Sequence, residues 1–196
     1  MSNVTADLPT MSNNPLLPEI SGAILSLIGK WLILLNDQRG ETSMLRIRTA
    51  TEDDLPRILG LYQQLAIPPV ESTDQEVTVL DSQRQAFSDI ADMPGCEVIV
   101  AEEDGQVIGT SMLTIVPNLS HGGRPWIIVE NVVVDKKHRR TGAGNLLMEY
   151  IKKKALESGC YKIQLMSDKS RSEEAHKFYN AIGYNASAEG FRMYPG

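Results

Sequence analysis

A long β-branched segment that leads through a basic turn into a helix constrains the fold most. Residues 126–134, WIIVENVVV, predict a strand buried in the middle of a sheet. The turn at residues 135–144 contains four lysines or arginines and two glycines. Apolar residues then recur at helical spacing over residues 142–157, which predicts an amphipathic helix. A strand joined so directly to a helix indicates an α/β layered fold.

The remaining patterns complete a mixed sheet with helices on its faces. Thr51 to Asp54 form a variant capping box before a helix, and Asp104-Gly105 is a strong hairpin signal. The other predicted strands are 44–50, 97–103, 106–116, 161–166 and a short final strand at 191–194; the other helices are about 74–93 and 172–181. We therefore expect an α/β (α+β) domain over residues 44–196.

Residues 1–43 are expected to form a separate N-terminal tail with an apolar helix. Residues 20–35 are apolar at helical spacing, but the run is shorter than the ~20 residues that span a membrane. Glu19 stands where a signal peptide would carry positive charge. We expect a short helix that packs on the domain or on a second subunit, so a homodimer is one expectation. A membrane-surface anchor is the less favoured alternative.

Charge and cysteine usage narrow the partners and the compartment. The net charge of −6 argues against nucleic acid as a partner. Residues 135–154 nevertheless hold seven lysines or arginines against two acidic residues, which suits a small anionic cofactor. Cys96 and Cys160 form neither a metal-ligand spacing nor a disulfide framework, so no metal is expected and the cytoplasm is the expected compartment.

The basic turn has the chemistry of a pyrophosphate-binding cradle. Glycines let the backbone approach a ligand, and a helix N-terminus presents free N–H groups and positive potential. A P-loop is disfavoured because Asn145 and Leu146 follow Gly144, and a Rossmann turn would need a further glycine. Tight packing without a ligand is the structural alternative. The candidate residues are Arg139, Arg140, Thr141, Gly142, Ala143, Gly144 and Asn145.

The pattern R-x-x-G-x-G at residues 139–144, followed by AHKFYNAIGY at 175–184, resembles the GNAT superfamily of N-acetyltransferases. The resemblance covers about residues 44–194. It implies a central, mostly antiparallel sheet that is splayed at the cofactor strand, with helices on both faces. It also implies acetyl-coenzyme A as cofactor, with its pyrophosphate on the basic turn and its pantetheine arm on the backbone of Val132, Val133 and Val134.

Two residues are candidates for catalysis. By the resemblance, Tyr179 matches the tyrosine that points at the coenzyme A sulfur, so it is the candidate acid; the alternative is a core aromatic residue. Glu130 is the candidate base, directly or through a water, because a carboxylate within an apolar strand is costly to bury. Glu130 could instead be structural, paired with a cation or set at a wet strand edge. Asn131 could orient the substrate and His176 could face the cofactor, whereas His138 is expected to be solvated.

The acceptor is less constrained by the sequence. Residues 159–163 and 130–134 are locally similar to glucosamine-6-phosphate N-acetyltransferases, which hints at an amino sugar. The expected function is acetyl transfer to the primary amine of a small molecule, by direct attack in a ternary complex. The alternatives are a protein or peptide amine acetyltransferase and a catalytically silent acyl-CoA-binding module.

Overall fold

The computed structural model describes residues 31–36, 42–66 and 77–195. Its strands are β1 (Trp31–Asn36), β2 (Thr42–Thr49), β3 (Cys96–Glu103), β4 (Gln106–Val116), β5 (Trp126–Val134) and β6 (Ile163–Leu165). Its α-helices are α1 (Leu55–Gln63), α2 (Asp81–Asp92), α3 (Ala143–Glu157) and α4 (Lys177–Ala181). No helix in this described part of the chain is long and apolar enough to cross a membrane.

The six strands form one sheet in the order of the sequence. Each strand from β1 to β5 runs antiparallel to the next, and only β6 runs parallel to its neighbour, β5. A parallel pair needs a crossover, and α3 provides it between β5 and β6. The predicted mixed, mostly antiparallel sheet is confirmed.

Two local predictions are confirmed by backbone geometry. Asp104 and Gly105 have φ of 49° and 86°, as the two central residues of a type I′ hairpin turn require. At the start of the first helix, the Thr51 backbone N–H donates to Asp54 Oδ2 at 2.8 Å. That carboxylate also accepts the Thr51 hydroxyl at 3.1 Å. These contacts begin the helix where the capping pattern places it.

Helices cover both faces of the sheet. Leu147 and Ile151 of α3 pack with Ile99 and Ile108 on one face. On the other face, Ile58 and Leu61 of α1 pack with Val98, Val100 and Val107. Residues 98–101 alternate between the two layers, as successive side chains of a strand must. Each fully buried Leu or Ile stabilises the fold by about 1.5–3 kcal/mol.

The helix predicted at residues 20–35 is wrong at its C-terminal end. Trp31–Asn36 is strand β1, and Trp31 pairs with Ile47 of β2 in antiparallel register. Residues 20–30 lie outside the described part of the chain. A short continuous apolar run such as WLILL cannot be assigned to helix or strand by periodicity alone. Here the edge of β2 supplies backbone partners, and strand pairing prevails.

The strand predicted at residues 191–194 is also wrong. Residues 185–195 contain no helix or strand, and Phe191, Met193 and Tyr194 are 91%, 82% and 82% exposed. A short alternating segment forms a strand only when a neighbouring edge accepts its backbone hydrogen bonds. β6, at the edge of the sheet, is only three residues long and offers little such edge.

Two predicted helices are modified at their beginnings. Helix α2 begins at Asp81 rather than near residue 74, and residues 74–76 lie outside the described part of the chain. The segment predicted as a helix at residues 172–181 begins with one π-helical turn, Ser172–His176, and continues as α4. π-Helical turns are frequent at functional sites.

Candidate active site

The sheet opens between β5 and β6. Their parallel pairing covers only Ile127–Val129 against Ile163–Leu165, whereas β5 continues to Val134. The expected splay at this strand is therefore present. It forms one wall of a cleft of about 240 Å³. The cleft is lined by Leu65, Val129, Glu130, Asn131, Val132, Leu165, Met166, Ser167, Asp168, Arg171, Ala175, Tyr179 and Arg192.

A β-bulge shapes the β5 wall of this cleft. Val133 pairs with Thr110 and Glu130 pairs with Met112, so Asn131 and Val132 together oppose Ser111 alone. Asn131 has φ of 56°, a left-handed conformation that asparagine tolerates better than most residues. The Ser111 hydroxyl donates to the Glu130 carbonyl oxygen at 3.2 Å and supports the bulge. The bulge takes backbone groups out of the β4 ladder at the cleft wall.

The periodicity of β5 does not predict this bulge. The available signal is the polar pair Glu130-Asn131 inside an otherwise apolar strand. The Asn131 amide lies beside the phenol of Tyr62 on α1; burial raises the pKa of Tyr62, and Asn131 offsets part of that rise. Tyr62 thus belongs with the residues that support β5.

The cradle, residues 139–145, joins β5 to α3. Arg140 and Gly142 have φ of 67° and 96°, and Gly142 immediately precedes α3. Left-handed residues in such a turn aim successive backbone N–H groups toward one point, forming an anion-binding nest. The first N–H groups of α3 add free donors and the positive end of the helix dipole. A Cβ on Gly142 would meet nothing within 4 Å, so this face of the turn is open.

The predicted cradle residues lie together, but the two arginines differ in their surroundings. Arg139 Nη1 contacts Glu174 Oε2 at 2.7 Å, and Arg139 Nε donates to the Val134 carbonyl at 3.4 Å. Arg140 is exposed on the turn. The Thr141 hydroxyl donates to the His138 carbonyl at 2.8 Å and closes the turn. Arg139 is therefore tied to the segment before α4, whereas Arg140 is available to a ligand.

Three residues that sequence analysis missed hold the cradle in place. Buried Asp135 accepts the Lys137 backbone N–H at 2.9 Å and the guanidinium of Arg57 on α1. Burial alone would raise the pKa of Asp135, but these two donors outweigh it, and the pKa lies below its ordinary value. Gln64, 2% exposed, accepts the Lys136 N–H at 3.1 Å. Both contacts join α1 to the start of the turn, and long-range contacts of this kind leave no local signal in the sequence.

Tyr179 lies on α4 and lines the cleft. Burial raises its pKa to about 12, and the nearby Arg171 guanidinium lowers the pKa less than burial raises it. The hydroxyl has no hydrogen-bond partner among residues 31–36, 42–66 and 77–195. At neutral pH the phenol is therefore protonated and able to donate a hydrogen bond into the cleft.

Glu130 is half-buried and lines the same cleft as Tyr179. No Arg or Lys of the described chain forms an ion pair with its carboxylate. The structural alternative of a glutamate neutralised by a cation thus finds no partner in this part of the protein. A carboxylate and a phenol in one small cleft can accept and donate protons, respectively.

His138 lies just before the first sequence motif and His176 lies within the second. His176 Nε2 lies 3.1 Å from the Asp168 carbonyl oxygen, so this histidine bonds the turn after β6. His138, expected to be solvated, is half-buried, and within the described chain its buried Nδ1 has no partner. Neither histidine lines the cleft.

Comparisons with known proteins agree with this geometry. Residues 58–184 match the model of the Acetyltransferase (GNAT) family. The chain is 30% identical over 149 residues to a glucosamine 6-phosphate N-acetyltransferase of Trypanosoma brucei brucei, covering 76% of this chain and 95% of that protein.

Two solved bacterial structures have the same fold. One is described as a transcriptional regulator from Bacillus halodurans C-125, with a TM-score of 0.69, 31% identity and coverage of 76% of this chain and 99% of that one. The other is a putative acetyltransferase from Agrobacterium tumefaciens, with a TM-score of 0.65, 32% identity and coverage of 76% and 98%. With a family match spanning most of the sheet, the cradle and α4, the chain belongs to the GNAT family of acetyltransferases.

Proposed function

We propose that this acetyltransferase moves the acetyl group of acetyl-CoA to the primary amine of a small molecule, by direct attack within one ternary complex. The observation that carries the proposal is that Glu130, Tyr179 and the bulged backbone of β5 line the same cleft. The cradle follows β5 along the chain, so the proposed donor-binding turn and the proposed base Glu130 belong to one strand and the turn after it, while Tyr179 lines the same cleft from α4.

The residues present fit coenzyme A. The nest at Arg140–Gly142 and the free N–H groups of Ala143, Gly144 and Asn145 would hold the pyrophosphate, with Arg139 and Arg140 adding charge. The unpaired side of β5 at Val132, Val133 and Val134 would hold the pantetheine arm. When bound, the cofactor supplies the acetyl group as a thioester.

Glu130 and Tyr179 would share the proton transfers. An alkylamine of pKa ~10 is almost fully protonated at neutral pH, so Glu130 takes the proton that the acceptor must lose. Tyr179 holds a proton for the departing thiolate. Backbone N–H groups near Val132 would stabilise the negative charge that develops on the carbonyl oxygen.

The residues lining the cleft favour direct attack over an acyl-enzyme. A covalent intermediate would need a nucleophile such as a cysteine in the cleft. Cys96 and Cys160 are free thiols, and neither lines it. Ser167 does line the cleft, but within the described chain no histidine, lysine or carboxylate hydrogen-bonds its hydroxyl to activate it.

The cleft size favours a small acceptor. A volume of about 240 Å³, formed by the described residues, suits a small acceptor better than a bulky one. The relative named as a glucosamine 6-phosphate N-acetyltransferase supports the same class of acceptor.

The first experiment is acetyl-CoA binding by calorimetry, followed by thiol release with amino sugars, polyamines, amino acids, aminoglycosides and peptides. Binding with release on small amines supports the proposal; release on peptides alone favours protein acetylation. Binding without release on any amine favours a silent module, and no binding overturns the proposal. Initial rates over both substrates should give intersecting lines, since parallel lines would indicate an acyl-enzyme.

The compartment and the oligomeric state remain predictions. Two free cysteines suit a reducing compartment, which keeps the cytoplasm as the predicted location. The exposed apolar side chains of Phe191, Met193 and Tyr194 are compatible with a partner subunit. Light scattering of the purified full chain at several concentrations tests the homodimer.

A further inference from the structure

The cleft contains positive charge that amine acetylation by itself does not need. Besides Glu130 and Asp168, its lining includes two arginines, Arg171 and Arg192. A site built for an acceptor carrying only ammonium groups would gain nothing from two arginines, because like charges repel. An acceptor carrying both an ammonium group and an anion would match both signs.

Arg192 is available to bind such an anion. Within the described chain it forms no hydrogen bond and no ion pair, and its interaction there is a longer-range attraction to Asp168. A guanidinium presents its donors in a fork that matches phosphate and carboxylate oxygens.

A close contact explains why Arg192 reaches the cleft. A Cβ on Gly190 would lie 3.1 Å from Met166 Sδ, so the C-terminal segment packs closely against the residue after β6. Met166 itself lines the cleft. Arg192, two residues after Gly190, is thereby placed at the cleft wall.

Arg171 extends the positive region toward Tyr179. Its guanidinium donates to the carbonyl oxygen of Leu65, just after α1. This bond holds the Arg171 side chain in place. It lies near enough to lower the pKa of Tyr179 and, with Arg192, that of Asp168. One bond to a carbonyl leaves other N–H groups of Arg171 free to donate.

Asp168 only partly offsets these arginines. Its Oδ1 accepts the Ser170 backbone N–H at 2.9 Å and the Ser170 hydroxyl at 2.7 Å. The carboxylate is thus engaged in its own turn and forms no ion pair of 4.0 Å or less with either arginine.

We propose that the acceptor amine also carries an anionic group, a phosphate or a carboxylate, and that Arg192, assisted by Arg171, binds it. The ammonium group then faces Glu130 at the other wall. This inference rests on the proposed function and narrows its substrate class: Arg192 determines specificity and performs no proton transfer.

The test uses acceptors that differ only in the anion. Steady-state kinetics are measured on glucosamine 6-phosphate and glucosamine, and on an amino acid and its amide, which separates phosphate from carboxylate. The wild-type chain should prefer the anionic member of at least one pair. Arg192→Gln should raise KM for that member about tenfold or more, as loss of a charged hydrogen bond implies, and leave the neutral member unchanged.

Two controls separate recognition from structure. Arg84→Gln removes an exposed arginine on α2 that pairs with Glu52 and does not line the cleft, so it should change KM for neither member of a pair. Acetyl-CoA affinity and Tm should be the same for Arg192→Gln and the wild type.

The outcomes distinguish this inference from the proposed function. If neutral amines are acetylated as well as anionic ones, or if Arg192→Gln affects both members of a pair equally, the inference is overturned while the proposed function stands. If no amine is acetylated, both the inference and the proposed function are overturned.

Discussion

Gly144 of the cradle packs against the ring of Phe178 on α4: a Cβ at Gly144 would lie 3.3 Å from Phe178 Cζ. Phe178 is followed by Tyr179, so this contact sets how closely the proposed acid, Tyr179, approaches the cradle. The two sequence motifs that indicate the family are therefore in direct contact. A glycine is needed here for close approach rather than for a left-handed backbone.

Gly144→Val should displace α4 and lower kcat. The contact with Phe178 is already tight for a β-carbon, and the valine adds two γ-carbons to it. Overpacking of this kind lowers the free energy of unfolding by about 1–3 kcal/mol. The measurements are kcat and the free energy of unfolding from urea titration. Gly144→Ala should lower kcat less than Gly144→Val, because only a β-carbon then meets the Phe178 ring.

The matched test of this contact is a double-mutant cycle. Phe178→Leu should restore part of the kcat lost in Gly144→Val, because the smaller side chain makes room for the valine. Strict additivity of the two substitutions would show that the contact does not position Tyr179.

Gly142→Trp should weaken acetyl-CoA binding strongly. The side chain would project into the open face of the turn, where the proposed pyrophosphate lies. Gly105→Trp is the matched control, since Gly105 also has positive φ and open space but lies in the β3–β4 hairpin. Both variants carry a similar backbone cost of about 1–2 kcal/mol, so only the loss of affinity should distinguish them in calorimetry.

The paired substitution of Arg139 and Arg140 by alanine tests the charge of the cradle separately. Binding of acetyl-CoA should weaken and become less sensitive to salt, because the two cations contribute long-range attraction. Unchanged affinity in both this variant and Gly142→Trp would refute the cradle assignment.

Tyr179→Phe should lower kcat and leave acetyl-CoA affinity unchanged. Its pKa of about 12 keeps the phenol protonated throughout a neutral assay, so the variant should retain the shape of the wild-type pH–rate profile. General acids contribute about 10²–10⁴-fold to rate, which sets the expected range of the loss. Unaltered turnover would assign the acid role to water or to another group.

Glu130→Gln should shift the rising limb of the kcat/KM profile to higher pH. An amide cannot accept the proton that an ammonium group loses, and the side chain keeps its size. The variant should regain activity as pH approaches the pKa of the acceptor, where the free amine becomes abundant. A profile parallel to the wild type would leave Glu130 with a structural role.

Glu102→Gln should destabilise the fold without affecting the cleft. Glu102, 5% exposed, accepts hydrogen bonds from Arg46 and Arg48, and removal of its charge should cost about 1–3 kcal/mol at pH 7. Burial alone would raise the pKa of Glu102, but Arg48 and Arg46 outweigh it and hold the pKa below its usual value.

The sign of the pH dependence follows from that lowered pKa. The stabilisation is present above the unfolded pKa of about 4.3 and is lost as pH falls through the folded pKa. The difference in unfolding free energy between wild type and Glu102→Gln should therefore shrink in acid. Exposed Glu157→Gln is the control, and its difference should stay near zero at every pH.

The sequence by itself determined the features that depend on neighbours along the chain. The Asp104-Gly105 turn, the cap at Thr51, and the passage from β5 through Gly142 into α3 are all where their residue types place them. The two turns rest on left-handed backbone conformations that glycine adopts at low cost and aspartate tolerates, and the cap rests on a side chain only three residues away. Local preference and final structure therefore agree at these positions.

Tertiary structure decided the features that depend on distant partners. WLILL became β1 because β2 offered an edge, and residues 191–194 formed no strand next to the three-residue β6. The bulge at Asn131 exists only through the register between β4 and β5, and Arg171 and Arg192 reach one cleft from separate segments. Strand pairing and the meeting of distant side chains in one cleft both join residues that are far apart in the chain. The free energy that stabilises them comes from contacts that no local sequence pattern encodes.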